Sequence, residues 1–150
     1  MWRIGEAAQR AGVSERTLRY YEEIGLVAPA SHSPGGNRRY GDAEVARVLR
    51  IRELQELMGF NLDEIRAVLC TEDRLETLRS RWWASDDPGQ RREILEEGIA
   101  ATLPLRDRVA QKRTRLSEFL DELDRKIARY DELLSELGAT HAPVGDDTHV

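Results

Sequence analysis

Arg16, Thr17, Arg19 and Tyr20 lie close together in the stretch SERTLRYYEEIGLV, residues 14–27. At 100° per residue they spread around one side of a helix, with Leu18, Tyr21 and Glu22 on the other. A guanidinium forks onto guanine edges or phosphate oxygens, and Thr and Tyr hydroxyls suit phosphate. An outward arc of this kind therefore has the chemistry to hold and read a duplex. Read from this helix alone, a merely solvated face is an equal alternative, because 34% of the chain is charged. A second group of similar chemistry stands in PGGNRRY, residues 34–40, where Asn37, Arg38, Arg39 and Tyr40 follow turn-forming residues.

The elements needed to position these groups are legible. Ser14 is a natural N-cap for the helix that carries the arc, although Thr17 leaves the reciprocal capping box incomplete. Upstream, Ile4, Ala7, Ala8 and Ala11 fall at i, i+3, i+4 and i+7, and Gly12 stands where a left-handed residue would end a helix. Two short helices meeting at a tight turn have the organisation of a helix-turn-helix, whose second helix enters the major groove. The flanks of the Pro-Gly turn are expected to pair as a small hairpin, a wing beside that helix. Asp42 is expected to cap a third helix running to about residue 58, with Val45, Val48, Leu49, Ile51, Leu54 and Leu57 on its apolar side. Asn61 and Glu64 have the spacing of a further helix start, followed by Leu62, Ile65, Val68 and Leu69.

Residues 4–69 resemble the DNA-binding domain of the MerR family of transcriptional regulators. The resemblance rests on three segments in the family's order: IGEAAQRAGVSERTLRYYEEIGLV, the wing PGGNRRY, and RIRELQELMGFNLDEIRAVL. It implies DNA contacts from Arg16, Thr17, Arg19, Tyr20 and Tyr21, with Ser14 at the head of the same helix and Asn37, Arg38, Arg39 and Tyr40 from the wing. For Tyr21 a packing role is the alternative, since helical placement turns it inward.

The charge pattern agrees with a local nucleic-acid surface. The net charge is −5, yet residues 1–52 hold nine Arg against six acidic residues while the remainder is strongly acidic. No apolar run is long enough to span a bilayer and no signal-peptide core opens the chain, which makes the cytoplasm the expected compartment. The single cysteine, Cys70, excludes an internal disulfide framework. There is no phosphate-binding glycine loop and no nucleophile with a base, so no enzyme activity, catalytic residue or cofactor is assigned.

From residue 109 the apolar spacing becomes heptad. Val109, Leu116, Leu123, Tyr130 and Leu137 share one position and Leu120, Ile127 and Leu134 another, with Arg113 the one break. Four such heptads make a helix of about 45 Å, whose seam calls for a second chain, the alternative being a helix folded back on its own domain. The expected fold is mainly α: a winged helix-turn-helix head over 1–70, a helical connector over 71–104, a dimerisation coiled coil over 105–138 and a disordered tail over 139–150. The connector is expected to hold two extra helices, one through residue 83 and one after Pro88.

The resemblance further implies an antiparallel coiled coil joining two subunits. It also implies a mechanism in which the homodimer binds a pseudo-palindromic promoter with an overlong spacer, then bends and untwists it for RNA polymerase. Metal- and redox-sensing members of the family carry cysteine clusters near the coil ends. The C-terminal stretch ELGATHAPVGDDTHV has no cysteine, so thiolate metal sensing is disfavoured and no metal is assigned. His141, Asp146, Asp147 and His149 read as part of the tail. The effector candidates are Cys70, placed at the joint between head and coil, and the adjacent Trp82 and Trp83. For these the alternatives are a small buried thiol and packing against a partner subunit. An architectural DNA-bending protein without an effector, or a helical protein-interaction module without DNA readout, are the competing functions.

Overall fold

The computed structural model describes residues 1–140, in the order α1 (Ile4–Ala11), α2 (Glu15–Glu23), β1 (Ser31–His32), β2 (Arg38–Arg39), α3 (Asp42–Glu56), α4 (Leu62–Ala84) and α5 (Pro88–Thr140). They divide into two compact units, the first Met1–Leu105 and the second beginning at Arg106.

In the first unit, α1 packs on α2 and α3 through Ala7, Ala8 and Ala11, all buried, whose small side chains permit close approach. Gly12, at φ 66°, ends α1 in a Schellman turn: its N–H donates to Gln9 O at 3.1 Å and the N–H of Val13 to Ala8 O at 3.0 Å. Ser14 then caps α2, its hydroxyl accepting from the N–H of Thr17 at 3.0 Å. The same turn recurs after α2, where Gly25 N–H donates to Glu22 O and Leu26 N–H to Tyr21 O. Both helices thus end sharply enough for their neighbours to follow within a few residues.

Three arginines from the helices behind meet backbone carbonyls at or just past these ends. Arg52 donates to Ala11 O at 3.1 Å, Arg66 to Ile24 O, and Arg47 to Leu26 O. Helix C-termini carry unsatisfied carbonyls and partial negative charge, which a guanidinium answers on both counts. Arg47 also forks onto Asp73, Arg50 bridges Glu53 and Glu72, and Arg52 pairs with Glu56. Much of the basic excess of residues 1–52 is therefore engaged within the unit and is not offered outward.

The hairpin forms with Ser31 opposite Arg39 and His32 opposite Arg38. Its tip closes through Gly36 N–H to Ser33 O at 2.8 Å. Trp2 adds a third strand position that no local pattern announces: its N–H donates to Tyr40 O at 2.7 Å, and Tyr40 N–H returns to Trp2 O at 3.0 Å. The Arg10 guanidinium lies over the Trp2 ring, 4.2 Å from its centroid.

Several expectations are corrected. Gly41, not Asp42, is the N-cap of α3, its N–H donating to the Glu44 carboxylate at 2.7 Å. On α3 the buried residues are Val48, Ile51 and Leu54, whereas Leu49 and Leu57 are exposed, Leu57 standing past the last turn. The fourth helix does not stop near Cys70. Residues 71–84 contain no Gly or Pro, and Thr71 turns its hydroxyl back to Ala67 O at 2.9 Å instead of capping a new helix. The supposed connector helices are the end of α4 and the start of α5. Leu78 and Ile94 are buried, Gly98 faces Leu75 and Leu78, and Leu105 packs on the main core.

Asp87 accepts from the N–H of Gln90 at 2.8 Å and Pro88 takes the first helical position of α5, where its missing N–H costs nothing. α5 contains Pro104 and continues through residues 139 and 140, which were expected in the tail. Residues 141–150, with His141, Asp146, Asp147 and His149, lie outside the described residues.

The second unit is helical from Arg106 to the end of α5. Val109, Leu116, Leu120, Leu123, Ile127, Tyr130, Leu134 and Leu137 are all exposed, and Phe119 and Leu133 extend the apolar surface beyond the heptad positions.

Candidate nucleic-acid interface

The outward arc of α2 exists as a surface. Leu18 and Tyr21 are buried and hold the helix down, while Arg16, Arg19 and Tyr20 are exposed. Thr17 is half-buried, its hydroxyl 2.9 Å from that of Ser14. Arg19 approaches Glu15 at 3.5 Å, an exposed pair too weak to withhold the guanidinium from a phosphate. Among the described residues Arg16 and Arg39 have no carboxylate partner. The first two turns of α2 consequently present cations, hydroxyls and an aromatic ring on one side.

Tyr21 belongs to the core side. It is 5% exposed and its hydroxyl donates to Gln55 at 2.9 Å, tying α2 to α3. Burial raises its phenol above the usual value, so it stays a neutral donor. Tyr40 departs from expectation more sharply. It is fully enclosed, and its hydroxyl donates to the Glu22 carboxylate. Burial first, and then that hydrogen bond, push its phenol far upward. A ring buried in this way is not a surface contact, so Tyr40 leaves the outward set and joins the support beneath it.

That support centres on Glu22. Alternation along the hairpin puts Arg38 and Tyr40 on one face, and both reach the same carboxylate: Tyr40 through its hydroxyl, Arg38 through Nε at 2.8 Å. Glu22 is 10% exposed and Arg38 48%. The wing is thereby pinned to α2, leaving Asn37 and Arg38 exposed and Arg39 half-buried at its edge. Sequence reading placed Glu22 on the inner side but assigned it no role, because a partner 18 residues away leaves no periodic trace.

The effector candidates do not form one site. Cys70 is exposed in the middle of α4, and the twelve residues separating it from Trp82 span about 18 Å of helix. Trp82 is half-buried, with the Arg91 guanidinium 4.7 Å from its ring centroid. Arg91 is fixed in turn on Ser85 O and Asp86, both at 2.9 Å. One face of Trp82 is thus already stacked, whereas Trp83 is 77% exposed. Among the described residues no cluster of His, Cys, Asp and Glu could hold a metal ion, and no helix is long and apolar enough to cross a membrane.

A family model described as MerR HTH family regulatory protein matches residues 2–71. The HTH-type transcriptional regulator YfmP of Bacillus subtilis (strain 168) is 35% identical over 135 residues, covering 90% of this chain and 86% of its own. The chain belongs to the MerR family. It is accordingly a DNA-binding transcriptional regulator and not an enzyme. Among solved structures, the MerR-like fold is shared with the transcription regulator PbrR691 from Ralstonia metallidurans CH34, crystallised with lead(II). That match has 28% identity and a TM-score of 0.53, covering 88% of this chain and 87% of the other. HiNmlR, a MerR family regulator lacking the sensor domain and bound to promoter DNA, has the same fold at 22% identity and a TM-score of 0.50, over 89% of this chain and 93% of the other.

Proposed function

We propose that this MerR regulator acts as a homodimer on a pseudo-palindromic promoter. α2 enters the major groove in each half-site and the wing tracks the adjacent backbone. The observation that carries this reading is the wing pinned beside α2 by Glu22, which joins Arg16, Thr17, Arg19 and Tyr20 to Asn37, Arg38 and Arg39 in one outward surface. Ser14 contributes as the cap that starts α2, and Tyr21 and Tyr40 contribute from beneath. The promoter complex of HiNmlR is a precedent for this fold on DNA.

The exposed stripe of the second unit supports the dimer. A row from Val109 to Leu137 that stands exposed among the described residues would bury its leucines against a second copy. Two heads then supply the base contacts that one short helix lacks. Bending and untwisting an overlong spacer, so that RNA polymerase finds both of its elements in register, is the output that such a two-headed dimer would give.

Selection of bound fragments from sheared genomic DNA by the full chain tests the reading, with affinities then measured at two salt concentrations. The expected result is a pseudo-palindrome within a promoter and an affinity falling steeply with salt. Sequence-indifferent binding would favour an architectural role, and no binding at low salt would overturn the DNA-facing assignment of these residues.

A further inference from the structure

We infer that Glu22 is a positioning residue for DNA recognition, acting through Arg38. The inference rests on the wing contact proposed above and adds to it the part that sets its geometry. Arg38 makes its closest approach to Glu22 through Nε, an ion pair of 2.8 Å, and among the described residues its two terminal nitrogens form no hydrogen bond. A guanidinium held at Nε keeps its outer fork free, and that fork matches the oxygens of a phosphate. Tyr40 holds the same carboxylate from the core side, its ring enclosed and its backbone bridged to Trp2. Glu22 is therefore fixed from behind and fixes Arg38 in front, and α2 and the wing meet a duplex in one set relation.

A carboxylate beside a DNA surface has a second, opposite effect, because its charge repels phosphate. The two roles predict changes of opposite sign. If Glu22 were only a repelling charge, Glu22→Gln would tighten binding to every duplex. If it positions Arg38, the variant loses affinity for the selected operator while binding to a scrambled duplex stays equal or tightens.

The test measures the full chain, Glu22→Gln, Glu22→Asp, Arg38→Ala and the Glu22→Gln/Arg38→Ala double variant on the selected operator and on a scrambled duplex of the same length. Circular dichroism verifies the fold of each. Glu22→Gln is expected to weaken operator binding about fivefold, the loss of an ion pair that is half exposed on the arginine side, and to lower the operator-to-scrambled ratio by at least that factor. Glu22→Asp keeps the charge but withdraws it by one methylene, and is expected to lose operator affinity as well. In the Arg38→Ala background Glu22→Gln should cost nothing further.

Tightening on both duplexes, or an undiminished loss in the Arg38→Ala background, would overturn the inference while leaving the wing contact intact. Operator affinity unchanged in Arg38→Ala would instead remove the wing contact itself, and the role of Glu22 with it.

Discussion

Gly12 and Gly59 both hold a left-handed backbone, at φ 66° and 62°, but their surroundings differ. A Cβ at Gly59 would meet nothing within 4 Å, whereas at Gly12 it would collide with Nη1 of Arg52, the nitrogen that donates to Ala11 O. Alanine at either position incurs the left-handed penalty of about 1–2 kcal/mol. At Gly12 the flexible guanidinium must also swing aside and release the α1 carbonyl. A hydrogen bond from a charged donor is worth roughly 1.5–3 kcal/mol, and with a third of the Arg52 side chain exposed about 1 kcal/mol is the fitting figure. Gly12→Ala is therefore expected to cost about 2–3 kcal/mol and Gly59→Ala about 1–2 kcal/mol, a difference worth roughly 4 °C in melting temperature. Urea denaturation at one fixed protein concentration measures both, since self-association would otherwise contribute to stability. In an Arg52→Ala background the two glycine substitutions should cost the same. Equal losses in the wild-type background, or a difference that persists without Arg52, would refute the claim that this arginine closes the end of α1.

Arg16→Ala and Arg19→Ala are each expected to weaken operator binding. Whichever arginine reads a base should also relax preference at one position per half-site by about 1–3 kcal/mol, measured by competition with single-base operator variants; unchanged affinity in both would remove α2 as the reading helix. Leu120→Asp combined with Ile127→Asp places carboxylates in the apolar stripe of the second unit and should give a monomer in sedimentation, where a persisting dimer would mean that another surface joins the subunits. The phenols of Tyr21 and Tyr40 lie above the ordinary value in the folded chain. Their contribution is complete below about pH 10 and is lost as pH rises through the folded values, by roughly 1.4 kcal/mol per pH unit for each phenol. Tyr40→Phe should make the alkaline decline in stability shallower, as read from denaturation midpoints between pH 9 and pH 11 on the order of these limits; an unaltered decline would show that Tyr40 is not its source.

Local chemistry made the helix-turn-helix legible. Ala7, Ala8 and Ala11 share a helical face, Ser14 caps within three residues, and Gly12 ends a helix because few other residues take its backbone conformation. The heptads after residue 109 were legible for the same reason, since periodicity within one helix is written in consecutive sequence. The extent of α4 was misjudged where local signals were thin: Thr71 and the residues after it contain no breaker, so nothing but continuous backbone bonding settled whether the helix went on.

Which polar residues face outward was decided by tertiary structure. Tyr40 sits in a run of wing residues and looks like its neighbours, yet it is enclosed, because Glu22 and Trp2 receive it from other parts of the chain. Arg47, Arg52 and Arg66 have the same composition signature as Arg16 and Arg39, but they answer backbone carbonyls at or just past helix ends, 21 to 42 residues away. A guanidinium is equally suited to a phosphate, a carboxylate or a helix C-terminus. Sequence by itself determined where most of the helices begin and the kinds of groups they carry; only the packing of α3, α4 and the wing around α2 decided which charges are satisfied inside and which are left exposed.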